Sequence, residues 1–255
     1  MTSMNAATSP ALSLAGVGRL FGALAAVRDV TFDIAHGERR AILGPNGAGK
    51  TTLFNLICGD FMPTSGMIKL FGEDISRLPP HQRARRRIGR TYQTSLLFVG
   101  LTVLENLYIA VRGAKPGRFS PLVPRTSDAD RAKARALAER VRLAHVADKP
   151  VADLSHGQRR QLEVGMALAC DPRLLMLDEP AAGLSAAERP ELNRLLRELP
   201  RDLTLILIEH DMDVALPNAD MVTVMKDGAV VVENTPDRIQ DDPVVYEIYL
   251  GKKVA

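Results

Sequence analysis

Long hydrophobic runs are missing from this chain of 255 residues. No stretch approaches the roughly 18 apolar residues of a membrane span, and the longest, such as Leu203 to Ile208, has only strand length. Cysteine is scarce too. Cys58 and Cys170 are the only two, and neither has a metal-like companion nearby, which argues against a zinc site or a disulfide framework. Each sits in an apolar helical pattern and reads as a buried free thiol, as expected in a reducing, cytoplasmic compartment. Net charge is only +3, so the overall charge demands no nucleic-acid partner. The opening MTSMNAATSP has neither a basic region nor an apolar core, so no signal peptide is expected, and residues 1–10 are expected to be disordered. There is no internal repeat and no low-complexity tract. What remains is an ordinary globular composition, 46% hydrophobic and 25% charged, with ample material for one large core.

Along the chain, β-like runs at Leu12 to Val17, Val27 to Ile34 and Arg40 to Leu43 are followed by a helical pattern from Gly49 to Cys58, then a strand at Met67 to Phe71. The middle, about Arg83 to Gly165, is rich in Ala, Arg and Leu. Thr102 with Glu105 three residues on predicts a capping box opening a helix to Val111. A Pro- and Gly-bearing loop is expected over Gly113 to Ser127, and an amphipathic helix over Ser127 to Val146. Strands are expected again at Arg173 to Leu177 and Leu203 to Ile208, with a helix near Ala186 to Leu199 between them. Met221 to Met225 and Ala229 to Val232 flank a KDG turn and predict a hairpin, and short helices at Thr235 to Gln240 and Asp242 to Leu250 close the pattern. The run HQRARRRIGR (His81 to Arg90) carries five arginines but no interleaved aromatics, and reads as a solvated face, near lipid headgroups or a membrane partner, before it reads as a nucleic-acid site.

Four motifs carry chemistry. GPNGAGKT, residues Gly44, Pro45, Asn46, Gly47, Ala48, Gly49, Lys50 and Thr51, matches the phosphate-binding loop in full, with a strand before it and a helix after it. Its glycines let backbone N–H groups turn toward phosphate oxygens, and the helix beginning near Gly49 aims its positive end at them. Lys50 is expected to reach the β- and γ-phosphates, Thr51 to ligate Mg2+, and Thr52 to lie near the α-phosphate. In LLMLDEP, Asp178 ends an apolar strand at the sheet edge where ligands bind, and is expected to handle Mg2+. Glu179 beside it is the natural general base for an attacking water. LSHGQ (Leu154 to Gln158) and IEHD (Ile208 to Asp211) complete the set. Standing alone, Ser155 would read as an ordinary helix N-cap and His210 as a structural histidine.

In this order the motifs resemble those of the ATP-binding cassette (ABC) proteins, over about Leu12 to Leu250. The resemblance implies an α/β fold: a P-loop ABC-type nucleotide-binding domain with a mainly parallel core sheet, an antiparallel β subdomain and a helical insertion at about 86–165, forming one ATPase domain over 11–250. It implies ATP and Mg2+ as ligands. LSHGQ stands where the family usually has LSGGQ. His156 replaces the first central glycine, which leaves Ser155 and Gly157 to touch the γ-phosphate bound by a second cassette, either another copy or a sister chain. Gln93, in RTYQ, matches the glutamine that senses Mg2+ and attacking water. His210 matches the histidine that contacts the γ-phosphate. Phe21 falls where an aromatic ring stacks on adenine, with core packing as the alternative. The run AAGLS departs from the family, because Ser185 stands where an aspartate is usual and leaves that residue's cross-dimer contact open.

The stretch between Lys50 and Ser155 is too short for the long coiled coil of repair and chromosome ATPases, and the chain has room for only one cassette, unlike translation-type proteins. The transporter reading is therefore preferred to a soluble ATPase of nucleic-acid repair or translation. RTYQTSLLFVGLTVLENL, LDEPAAGLS, IEHDMDVAL and the terminal YLG resemble ATPases of branched-chain amino-acid importers, although urea and short-chain amide importers share much of this wording. The resemblance implies transmembrane permease subunits as direct partners, a substrate-binding protein as an indirect one, no nucleic acid, and a cytoplasmic position on the inner face of the membrane.

Overall fold

A parallel sheet, an antiparallel sheet and a helical block divide the chain between them. The computed structural model describes residues 9–92, 95–115 and 128–250. Strands β1 (Leu12–Phe21) and β2 (Leu24–Ile34) form a hairpin, and β3 (Arg39–Leu43) leads through a loop into helix α1 (Lys50–Cys58). Next come β4 (Ser65–Leu70), β5 (Glu73–Asp74), α2 (Pro80–Arg85) and β6 (Ile88–Arg90). Helices α3 (Val103–Ala114), α4 (Asp128–Arg140) and α5 (His156–Leu168) build the helical block. The α/β alternation resumes with β7 (Leu174–Asp178), α6 (Arg189–Glu198), β8 (Thr204–Ile208), α7 (Met212–Ala215), β9 (Met221–Lys226) and β10 (Ala229–Asn234), and α8 (Pro236–Gln240) and α9 (Pro243–Leu250) follow.

The larger sheet has six strands in the order β10-β9-β3-β8-β7-β6, parallel throughout except for β10. The smaller is antiparallel, in the order β2-β1-β4-β5. β3, β7 and β8 are buried at every position; β7 and β8 are accordingly written almost entirely in apolar residues rather than in an apolar/polar alternation, and β3 opens on the buried, hydrogen-bonded Arg39 and Arg40. Successive side chains still point to opposite faces. Leu174, Met176, Ile206 and Ile208 join α1 and the antiparallel sheet in one core, while Leu175, Leu177, Leu205 and Leu207 join the helical block and α6 in another. Pairing of Ile42 with Ile208 and of Ile208 with Asp178 brings the carboxyl ends of β3, β8 and β7 side by side. That edge is where α/β sheets bind ligands.

The fold class expected from the sequence is the one observed. The capping box at Thr102 is formed: Glu105 N–H donates to Thr102 Oγ1 (3.2 Å), and Thr102 N–H to Glu105 Oε2 (2.8 Å). Most of the loop expected at 113–127, all of residues 1–8, and Gln93 lie outside the described residues. Two expectations change. β6 pairs with β7, so Ile88 to Arg90 belong to the main sheet and the helical block starts beyond them. The arginine run is not uniformly solvated either, since Arg83 is only 1% exposed. Its guanidinium donates to Leu56 O (2.5 Å) and Ile57 O (2.8 Å), carbonyls in the last turn of α1, and to Leu78 O (2.8 Å) and Ser76 O (3.1 Å) ahead of α2. Both cysteines are free. Cys58 is buried, which pushes its thiol up to about 12, and burial raises the half-buried Cys170 as well. No helix among the described residues is long and apolar enough to cross a membrane.

Candidate functional site

The loop from Gly44 to Gly49 folds into a cradle whose two ends, Gly44 and Gly49, have no room for a side chain. Gly44 has φ 151°, and a Cβ there would lie 2.3 Å from Met225 O of β9. Gly49, the N-cap of α1, has φ 93°, and a Cβ would lie 2.4 Å from Ala26 O of β2. Asn46, Gly47, Ala48, Thr51 and Thr52 line a cleft of 770 Å³ with Glu179, and the β1–β2 hairpin supplies a further wall from Leu24 to Ala26. Lys50 is 5% exposed, and its Nζ donates to Gly44 O (2.7 Å) and Pro45 O (3.0 Å). Burial pulls its ammonium below the ordinary lysine value, against the opposing pull of the Glu179, Asp178 and Glu209 carboxylates. Phe21 ends β1 just outside the cleft's lining. It is 39% exposed, edge-to-face with Phe61 (centroids 5.3 Å apart) and under the Arg19 guanidinium (4.6 Å).

Three acids gather at the strand ends. Asp178 is 4% exposed, and its Oδ1 is buried without a hydrogen-bond partner. Desolvation first, then the Glu179 charge, pushes it up to about 6. A buried orphan carboxylate oxygen and the Thr51 hydroxyl are hard oxygen donors of the type Mg2+ takes, together with substrate phosphates, so these residues fit the ion. Glu179 has φ 45°, a left-handed backbone rare outside glycine, and its N–H donates to Ile208 O (2.8 Å). The turn out of β7 is thus anchored on β8. Its Oε1 lies 3.6 Å from Nδ1 of His210, which is half exposed. The third acid, Glu209, was given no role by sequence reasoning. It is wholly buried, accepts a hydrogen bond from Ala181 N–H (2.9 Å) through Oε1, and leaves Oε2 unpartnered. The one available signal was an acid directly after the apolar run LILI.

Desolvation pushes Glu209 up to about 7. A carboxyl raised in the folded state contributes stability that is complete below its unfolded value, near 4.5, and is lost as pH rises through about 7. Urea unfolding should therefore show wild type losing ground to Glu209→Gln between pH 5 and pH 8, by up to about 3 kcal/mol. Parallel stability curves for the two proteins would show that Glu209 does not titrate there.

Ser155 and Gly157 do not line this cleft. They lie at the start of α5, beside a separate cavity of 670 Å³ walled also by Arg142, His145, Leu184 and Glu188. Ser155 is the helix N-cap: its Oγ accepts from Gln158 N–H (3.3 Å), and Gln158 Oε1 accepts from Ser155 N–H (3.0 Å). His156 reaches across the run AAGLS, with Nε2 3.0 Å from Ala182 O. Ser185 N–H and Oγ both donate to Glu188 Oε2 (3.1 and 2.9 Å).

Two further contacts support the cradle without any motif to announce them. Tyr249 OH, from α9, accepts Gly44 N–H (2.8 Å). The β9–β10 turn presses on the loop, with Gly228 N–H donating to Ala48 O (3.1 Å). On another face, Tyr92, Leu96, Leu97, Ala110 and Met166 line an apolar groove of 270 Å³. Exposed Phe98 and Val99 follow Leu96 along the same segment.

Comparison with known proteins agrees with this geometry. The profile of the family described as ABC transporter matches residues 27–182. The high-affinity branched-chain amino acid transport ATP-binding protein BraF of Pseudomonas aeruginosa is 38% identical over 251 residues, 95% of this chain and 98% of that protein. Its counterpart LivG of Escherichia coli is 39% identical over 254 residues, 96% of this chain and 99% of that protein. Among solved structures, an ATP-binding cassette of an ABC transporter in its ADP conformation superposes with a TM-score of 0.84 at 29% identity, covering 96% of this chain and 100% of that one. A dimeric cassette of a bacterial ABC transporter matches with a TM-score of 0.75 at 26% identity, covering 88% of this chain and 98% of that one.

Proposed function

The chain belongs to the ABC transporter family, whose ATP-binding subunits are ATPases, and on that footing we propose that it is the ATP-hydrolysing subunit of a membrane importer for branched-chain amino acids or related small polar solutes. The observation that carries the reading is that Lys50 and Glu179 line one glycine-walled cleft, with the Asp178 charge close enough to act on Lys50, while Ser155 and Gly157 face a different cavity. In this reading residues 11–250 act as one ATPase domain. The loop's N–H groups and Lys50 hold the β- and γ-phosphates, with Thr52 near the α-phosphate and Phe21 beside the adenine at the hairpin's rim. Glu179 takes the proton from the attacking water, and His210 orients on the terminal phosphate. Thr51 and Asp178 would hold Mg2+, with Gln93 added, and the ion supplies charge neutralisation at the phosphates. Ser155 and Gly157 complete the site of a second cassette, so two cassettes close head to tail on two ATP molecules. The exposed apolar groove around Tyr92 and Leu96 suits a permease segment, which fixes the chain to the inner membrane face and couples closure to transport.

Deleting the gene should abolish high-affinity uptake of labelled leucine, isoleucine and valine, and the wild-type copy should restore it while the Lys50→Ala copy does not. Loss of uptake for a different solute, with these three untouched, would overturn the cargo assignment and leave the ATPase reading standing.

A further inference from the structure

Glu188 occupies the donors that the second cassette's nucleotide needs. Its Oε1 accepts hydrogen bonds from Ser155 Oγ (3.0 Å) and Gly157 N–H (2.8 Å). These are the two groups that the reading above assigns to a terminal phosphate, and the inference rests on that reading. The other oxygen, Oε2, is held by Ser185 N–H (3.1 Å) and Ser185 Oγ (2.9 Å). Packing leaves no gap: a Cβ on Gly157 would lie 2.9 Å from Glu188 Oε1. The four donors, led by Gly157 N–H, hold the carboxyl down at about 2, so it is an anion at any physiological pH. It sits at the positive end of α5, a helix of 13 residues.

A carboxylate and a phosphate cannot share the same two donors at contact distance, because both are anions and each requires the lone N–H of Gly157. We propose that Glu188 is an internal stand-in for the partner cassette's γ-phosphate, which must leave Ser155 and Gly157 before two cassettes can close, and which thereby sets the ATP concentration that closure requires. Release needs no refolding. Glu188 directly precedes α6 and is tied down by its side chain, so rotation about its side-chain bonds frees the donors while Ser185 can keep hold of the departing oxygen. The arrangement also gives a use to the departure at Ser185. A carboxylate at 185 would repel Glu188, whereas the serine adds a hydroxyl donor to the backbone N–H that any non-proline residue supplies.

The test uses the full chain carrying Glu179→Gln, a variant that the two-cassette reading expects to accumulate closed dimers on ATP. Light scattering over a MgATP titration gives the half-maximal concentration for pairing, for the chain alone or mixed with its sister cassette. Adding Glu188→Ala should lower that concentration by about tenfold, and Glu188→Gln, which keeps shape but loses charge, by less. Ser185→Asp should lower it as well, without touching either donor. ATP affinity measured on monomers should be the same in all four proteins, since Glu188 lies outside the cleft that binds nucleotide. If Glu188 only braces the signature segment, its removal raises the ATP requirement or leaves it unchanged, and the proposal is overturned. If Glu179→Gln never pairs in any mixture, the two-cassette reading fails first and this inference with it.

Discussion

Glu179→Gln should bind MgATP about as well as wild type and release phosphate on the order of a thousandfold more slowly. The amide matches the carboxylate in size but cannot take a proton from water. The backbone at this position is fixed by Glu179 N–H on Ile208 O and by Ala182 N–H on Glu179 O, neither of which involves the side chain. Its left-handed φ is therefore kept in the variant, and the amide stands where the acid stood. Removing one negative charge beside Asp178 also eases the approach of a polyphosphate, so affinity has no reason to fall. Phosphate release and nucleotide affinity measured on the same preparation separate the two effects. Turnover close to wild type would remove Glu179 as the base and turn attention to its neighbour His210, 3.6 Å away.

Lys50→Ala should do the opposite and weaken nucleotide binding itself by roughly 3 kcal/mol, on the order of a hundredfold. The ammonium is nearly buried and is a cation in a cluster that also contains Asp178, Glu179 and Glu209. Without it the cradle presents these carboxylates to an incoming polyanion, and the carbonyls of Gly44 and Pro45 lose a donor. The loop should nevertheless keep its shape, since Gly44 N–H remains on Tyr249 OH and Ala48 O on Gly228 N–H. Calorimetric titration with ATP, alongside a thermal melt to check the fold, is the measurement. An affinity within about threefold of wild type would show that Lys50 is not the principal phosphate ligand.

Features written locally were legible before any coordinates. The cradle needs closely spaced glycines between a strand and a helix, the Thr102 box needs two residues three apart, and the β9–β10 hairpin needs one short turn, so each shows in a few neighbouring letters. Apolar continuity in Leu174 to Leu177 and Leu203 to Ile208 gave the buried parallel strands for the same reason. The contacts that went unread join distant residues of common type. Tyr249 reaches Gly44 from the opposite end of the chain, and nothing about a tyrosine near a terminus specifies its partner. Glu188 resembles any acid at a helix start until α5 is brought against it. Arg83 sits among arginines that are solvated, and only the packing of α2 under the end of α1 distinguishes it. Ser155 combines both cases. The N-cap reading available to it in isolation is correct as geometry, with Gln158 completing the box, and the same hydroxyl also donates outward to Glu188.

The histidine in LSHGQ has a consequence beyond replacing a glycine. Its ring meets Ala182 O, and Ala182 N–H in turn meets Glu179 O, so a short chain of bonds runs from the segment assigned to one ATP molecule to the acid assigned to the other. A glycine at 156 would have no side chain to make the first link. With it, the two segments are tied by hydrogen bonds within a single polypeptide, so a displacement of the start of α5 loads the bonds around Ala182 that also touch Glu179.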